Sequence, residues 1–82
     1  MRIIDADRKA QAHQIQLYLS GAEAQELREH LDALLGDPEA NEHRHVMSRD
    51  GGAELSLSIV TPAKIESGRY TTLEAKVLRG KW

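Results

Sequence analysis

Hydrophobic and polar residues alternate without a fault over residues 14–19, whose sequence is QIQLYL. Alternation with a period of two is typical of a strand that buries one face. Here that face carries Ile15, Leu17 and Leu19, and Tyr18 lies on the other. The pattern therefore predicts a half-buried strand with an exposed tyrosine.

The pattern changes to a helical one at Ser20. Ser20 and Glu23 have the spacing of a capping box, in which each side chain accepts a hydrogen bond from the backbone N–H of the other residue. Apolar residues then recur at steps of three and four, at Ala24, Leu27, Leu31, Leu34 and Leu35. This spacing predicts an amphipathic helix. We expect Gly36 to end it in the left-handed conformation, and Asp37-Pro38 to prevent its continuation.

Residues 43–48 and 53–60 flank the sequence Arg49-Asp50-Gly51-Gly52. Asp-Gly favours a tight hairpin turn, because both residues can take positive φ. The segments therefore predict a β-hairpin. In its return strand, alternation places apolar side chains inward and polar ones outward. The inward residues are Leu55, Leu57 and Ile59, and the outward ones are Glu54, Ser56 and Ser58.

The remaining segments complete the predicted fold. Residues 1–5 are compatible with an edge strand, whereas residues 6–12 and 63–70 are predicted to be connections. Thr71 and Glu74 repeat the capping-box spacing and predict a short C-terminal helix. We therefore expect a single α+β domain over residues 1–82. Its small antiparallel or mixed sheet has three to four strands, with one main amphipathic helix packed on one face.

Composition narrows the function classes. The chain has 82 residues and no cysteine, so neither disulfides nor zinc thiolates can stabilise it. No apolar run approaches the roughly 18 residues of a membrane span, and an acid at position 5 interrupts any signal sequence, which predicts a cytoplasmic protein that does not enter membranes.

Charge is distributed unevenly along the chain. Residues 20–42 contain seven acids against one base, whereas residues 69–82 contain four bases against one acid. The basic tail could contact nucleic acid through Arg69, Tyr70, Lys76, Arg79, Lys81 and Trp82. Its cations also suit a helix C-terminus, and the acidic segment would repel a polyanion. We therefore do not expect nucleic acid to be a partner.

Candidate chemistry centres on two histidines. His43 and His45 lie two apart on a predicted strand, so their rings can share one face and one metal ion. The favoured alternative is that both are solvent-facing hairpin residues, or that one packs on the sheet, because two ligands without a specified third are a weak signal. The serines alternate along regular strands and nothing resembles a nucleophile elbow, so the sequence predicts no enzyme, no catalytic residue and no cofactor. A metal- or small-ligand-binding domain using His43 and His45 is the alternative function.

The leading prediction is a protein-interaction module. Glu26, Glu29 and Asp32 recur at steps of three along the predicted helix and form an acidic ridge. Such a ridge is either a solvated face or a docking surface for a basic partner. Together with Tyr18, these acids are the predicted partner-binding residues. A homodimer through a strand edge or the polar sheet face is a further expectation.

This order of elements resembles that of very short bacterial immunity proteins encoded beside polymorphic toxins. The resemblance covers about half the chain: the segment 15–19, the helix 23–35 with Gly36-Asp37-Pro38, the segment 43–47, and Asp50-Gly51 before residues 55–59. It implies a non-enzymatic protein that neutralises a partner by occupying it, and it transfers no functional residues.

Overall fold

The computed structural model describes residues 1–40 and 42–80. In chain order the elements are β1 (Ile3–Asp5), β2 (Ala10–Ala12), α1 (Gly21–Gly36), β3 (Arg44–Met47), β4 (Glu54–Leu57), α2 (Pro62–Glu66) and α3 (Thr72–Leu78). Among these residues, β1 pairs antiparallel with β2, and β3 with β4. The predicted α+β class and single main helix are confirmed. The predicted sheet of three to four strands is wrong, because the strands form two separate pairs.

The predicted strand over residues 14–19 is also wrong. Residues 14–20 carry no regular secondary structure, and Ile15, Leu17 and Leu19 are 50%, 49% and 41% exposed. Alternation indicates half-burial, but a strand also requires a ladder of backbone hydrogen bonds to a neighbouring strand. The two ladders in the described residues join other segments. The sheet expected beneath α1 from residues 14–19 and 53–60 therefore does not form.

The chain divides into two compact units. The terminal unit contains Met1–Leu17 and the chain from Pro62 onward, so it holds β1, β2, α2 and α3. The central unit contains Tyr18–Thr61, which includes α1, β3 and β4. The expectation of a single domain stays a prediction.

The terminal unit begins with the hairpin β1–β2, in which Ile3 faces Ala12 in the register. The Asp5 carboxylate holds the turn, because Oδ1 accepts hydrogen bonds from the backbone N–H groups of Asp7 and Arg8 at 3.1 and 3.2 Å. The sequence interpretation of residues 6–12 as a connection missed β2, which is too short to show alternation. Helix α2 was not predicted either; it begins at Pro62 and continues into residues 63–66 of the predicted connection 63–70.

Helix α3 carries the apolar burial of the terminal unit. Thr71 and Glu74 form both hydrogen bonds of the predicted capping box, which confirms the short C-terminal helix. Val77 and Leu78 are buried. The Arg2 guanidinium Nε donates to the Val77 carbonyl oxygen at 3.1 Å, so the end of this helix is joined to the start of the chain.

In the central unit, α1 begins as predicted and ends differently. Ser20 and Glu23 form both hydrogen bonds of the capping box. Gly36 is the last helical residue and its φ is not positive, so the predicted left-handed glycine is wrong. The helix ends at Asp37 (φ −151°, ψ 82°), whose N–H donates to the Leu34 carbonyl. The residue before a proline is forced out of the helical region, and here that effect is sufficient.

Helix α1 packs against β3, and Leu34 and Val46 are the buried residues of these two elements. Leu31 and Leu35 remain 45% and 65% exposed. The helix turns about 100° per residue, so they lie about 60° and 100° around the axis from Leu34. A two-stranded hairpin with strands about 5 Å apart covers only a narrow stripe of a helix. The apolar stripe is therefore wider than the surface that buries it.

Candidate functional site

The β3–β4 loop is held by a closed set of hydrogen bonds. The Ser48 N–H donates to the Ala53 carbonyl, and the Gly51 N–H donates to the Ser48 carbonyl, both at 2.9 Å. Gly51 has φ 73°, in the left-handed region that favours glycine. Asp50 does not share this conformation, so the expected tight turn with two positive φ angles is wrong. The loop is longer and bends over residues 49–52, with a positive φ at Gly51.

The Asp50 carboxylate lies at the centre of this loop. Its Oδ1 accepts hydrogen bonds from the Ser48 hydroxyl at 2.7 Å and from the Gly52 N–H at 2.9 Å. The hydrogen bond from Ser48, followed by that from Gly52, lowers the pKa of Asp50 from its ordinary value. The Ser48 hydroxyl in turn accepts from the Ala53 N–H at 2.9 Å. The carboxylate form of Asp50 thereby fixes the loop.

Glu23 connects the start of α1 to the same loop. Its Oε1 accepts from the Ser20 N–H at 2.8 Å, and its Oε2 accepts from the Arg49 N–H at 3.2 Å. The backbone and side-chain hydrogen bonds with Ser20, and then the backbone hydrogen bond from Arg49 and the charge of Arg49, lower the pKa of Glu23. The sequence showed Glu23 as a capping residue only. Its contact across 26 positions carries no local sequence signal.

These residues surround a shallow depression of about 340 Å³ in the central unit. Its lining residues are Tyr18, Ser20, Glu23, Ser48, Arg49 and Asp50. Tyr18 is 87% exposed. Of the predicted partner-binding residues, Tyr18 is the one that lines this depression. The others belong to the acidic ridge.

The acidic ridge winds around α1. Steps of three residues rotate the helix surface by about 60° each, so Glu26, Glu29 and Asp32 do not lie on a single line. Glu26 is half-buried, and its Oε1 lies 3.5 Å from Nε2 of His30. Glu29 accepts a hydrogen bond from the Gln25 amide at 3.3 Å. Glu29 and Asp32 are exposed.

Several acids of the acidic segment have local partners. Glu42 forms an ion pair with Arg44 at 2.7 Å, and Glu39 accepts a hydrogen bond from the Thr61 hydroxyl at 2.9 Å. Within residues 1–40 and 42–80, the ion pairs do not include Glu29, Asp32 or Asp37. All three are exposed, so each presents a negative charge to solvent; Glu39 is exposed as well, and its hydroxyl partner is uncharged.

The outer face of the β3–β4 hairpin carries the two predicted metal ligands. His43 and His45 are exposed, with ring centroids 5.0 Å apart and planes at 81°. His45 Nδ1 lies 2.6 Å from Glu54 Oε1 and 2.8 Å from the Ser56 hydroxyl oxygen. The sequence pattern predicts Glu54 and Ser56 only as residues of the polar face. The cross-strand register, which sets His45 opposite Ser56, brings them together.

The geometry limits the chemistry of this face. Serine, histidine and a carboxylate relay a proton only when the serine and the acid contact opposite ring nitrogens. Here Ser56 and Glu54 both contact Nδ1 of His45, so this arrangement lacks that relay. Across the described part of the chain, no group of three or more histidine, aspartate or glutamate side chains is placed to hold a metal ion.

The basic tail is only partly described. Tyr70 is half-buried, and its burial, followed by the charge of Glu74, raises the pKa of its hydroxyl. Lys81 and Trp82 of the tail lie outside the described residues. No helix found among the described residues combines the length and the hydrophobicity needed to cross a membrane.

No protein-family model, no curated protein and no solved structure matches this chain. The resemblance to short bacterial immunity proteins therefore stays a prediction from the order of elements.

Proposed function

We propose that this chain is a non-enzymatic protein-interaction module that binds the basic surface of a partner protein. Glu29 and Asp32 on α1 provide the charge, and Tyr18 provides an aromatic contact beside the start of the helix. Binding of this kind is what an immunity-type inhibitor requires, since occupying the basic substrate cleft of a toxin neutralises it.

The observation that carries the proposal is the uncompensated charge on α1. Glu42 is paired with Arg44, whereas the exposed Glu29 and Asp32 have no cation paired with them in the described chain, and the Gln25 amide that contacts Glu29 is neutral. Complementary charge at the rim of an interface speeds encounter and fixes orientation. A partner with a basic surface would therefore associate faster with α1 and bind it in a fixed orientation.

Exposed apolar side chains support the same surface. Leu31 and Leu35 lie on the solvent side of α1, 45% and 65% exposed, and the helical period places Leu35 about 60° from Asp32. Apolar side chains rimmed by charges are typical of protein interfaces. Tyrosine is among the residues that most often dominate binding energy, and Tyr18 is 87% exposed.

Affinity capture from the native cell with paired charge variants tests the proposal. The wild-type chain should retain a stoichiometric protein with a basic surface, and Glu29→Lys combined with Asp32→Lys should release it. Tyr18→Ala should weaken binding by about 2 kcal/mol, roughly thirtyfold. Binding should also weaken as salt rises, because exposed charges are screened.

Asp7→Lys combined with Glu66→Lys is the matched control. It changes the net charge of the chain by the same amount, at exposed positions of the terminal unit. The control should capture the partner as the wild type does. Equal loss in both double variants would show a dependence on net charge alone, and equal retention in both would remove α1 from the interface.

A second copy of the chain is the other partner that we propose. Light scattering over a hundredfold concentration range tests it directly. A mass that stays at 9.2 kDa throughout would contradict the homodimer, and a concentration-dependent rise toward twice that mass would support it.

A further inference from the structure

The polar face of the β3–β4 hairpin brings together the one close pair of imidazole rings among the described residues. Side chains two apart on a strand point to the same face, with Cα atoms about 7 Å apart. His45 lies in β3 and His43 is the residue before it, and their ring centroids are only 5.0 Å apart. Both side chains are exposed, so solvent and ions can reach them.

Glu54 determines which nitrogen of His45 is available. An ionised carboxylate accepts hydrogen bonds but cannot donate them. The 2.6 Å contact between Glu54 Oε1 and His45 Nδ1 therefore places a proton on Nδ1. In the neutral ring, the lone pair is then on Nε2. Metal-binding histidines are oriented in the same way, by a carboxylate on the nitrogen opposite the metal.

We propose that His43 and His45 together bind one divalent transition-metal ion, with His45 coordinating through Nε2 and Glu54 as its positioning residue. Neutral imidazole suits zinc, nickel and copper rather than magnesium or calcium. The described residues offer no group of three ligands at this face, so water completes the coordination. Affinity is therefore micromolar rather than that of a closed structural site.

This site is separate from the proposed docking surface. It uses side chains of β3 and β4 and the residue before β3, whereas docking uses Tyr18 and the exposed face of α1. Metal binding is measured on the purified chain without any protein partner. Loss of one property therefore leaves the other unchanged.

Zinc titration of the full chain, followed by long-range ¹H–¹⁵N spectra of the histidine rings, tests the proposal. We expect one ion per chain, with the largest ¹⁵N shift at Nε2 of His45 and a second shift on His43. The single variants His43→Ala and His45→Ala should each weaken zinc binding at least tenfold by calorimetry. His13→Ala is the matched control, since it removes an exposed histidine of the terminal unit and should leave the affinity unchanged.

Glu54→Gln tests the positioning role. The amide keeps the size of the side chain and loses its charge, so we expect about tenfold weaker zinc binding and a mixture of the two ring tautomers at His45. Amide spectra of each variant establish that the hairpin is intact. Zinc affinity retained in the double variant His43→Ala/His45→Ala would overturn the site. Zinc on Nδ1 of His45, or tighter binding in Glu54→Gln, would overturn the role of Glu54.

Discussion

Helices α1 and α3 begin with the same capping box and bury different shares of their surface. In each, the N-cap hydroxyl and the N3 glutamate satisfy each other's backbone N–H. The seven residues of α3 include two buried ones, Val77 and Leu78, whereas the sixteen of α1 include only Leu34. The capping box determines where each helix begins, whereas packing determines how much of the helix is buried. Helix α3 is an anchor, whereas α1 presents most of its surface to solvent.

The largest difference in the free energy of unfolding should come from shortening one leucine in each helix to alanine. We expect Leu78→Ala in α3 to lower the free energy of unfolding by about 2 to 4 kcal/mol, because it removes buried methyl groups and leaves a cavity. Leu35→Ala on α1, at a residue 65% exposed, should cost about 0.5 kcal/mol or less. Urea denaturation measures both. Equal losses would mean that α1 is packed as α3 is.

Cap removal should have the next largest effect. Ser20→Ala and Thr71→Ala should each cost about 1 kcal/mol, because each leaves a backbone N–H at the first turn unsatisfied. Only Ser20→Ala should also affect the β3–β4 loop, because its capping partner Glu23 accepts a hydrogen bond from the Arg49 N–H. Amide exchange at Arg49 should accelerate in Ser20→Ala and not in Thr71→Ala. Unchanged exchange in both variants would contradict a link between the cap and the loop.

Glycine substitution should produce a smaller, stabilising effect. Gly36 has no positive φ, and a Cβ there would meet nothing within 4 Å. Gly36→Ala should therefore raise the melting temperature, with a gain of about 0.5 to 1 kcal/mol from reduced freedom of the unfolded chain. At the end of α3, the Cβ of Gly80→Ala would lie 3.2 Å from the Val77 carbonyl oxygen. We expect little or no gain there.

Acid should produce the smallest difference between the helices. The pKa of Glu23 is lower in the folded chain than its ordinary value of 4.5. Its stabilising contribution is therefore fully present above pH 4.5, and is lost as pH falls through the lowered value. Glu23→Gln should reduce the loss of stability on acidification, as followed by circular dichroism. Glu74→Gln in α3 is the matched control, and an equal reduction there would exclude the Arg49 contact as the cause.

Local signals in the sequence predicted local features well. Both capping boxes, the main helix and the inward positions of the hairpin depend on residues within four of each other, and the structure contains all of them. The capping motif needs only a hydroxyl and a carboxylate at the correct spacing. That chemistry is complete within one turn of the chain.

Features that depend on distant partners were not predictable in the same way. The alternation of residues 14–19 indicates a half-buried segment, but it does not show whether a second strand lies beside that segment and pairs with it. The contact of Glu23 with Arg49 and that of His45 with Glu54 depend on how separate segments meet. Tyr18 was predicted to be exposed, and its place beside Glu23 and Asp50 followed only from the structure.

The terminal unit is built from both ends of the described chain. This limits the order in which the two units can fold during synthesis on the ribosome. Residues 18–61 emerge before α2 and α3 have been synthesised, so α1 and the β3–β4 hairpin can fold while β1–β2 still lacks the helices of its own unit. The hydrogen bond from Arg2 to the Val77 carbonyl can form only after Val77, 75 positions later, has been synthesised. Contacts so distant in sequence form slowly. The central unit, which carries the proposed docking surface, is therefore the part of the nascent chain that can be ready first.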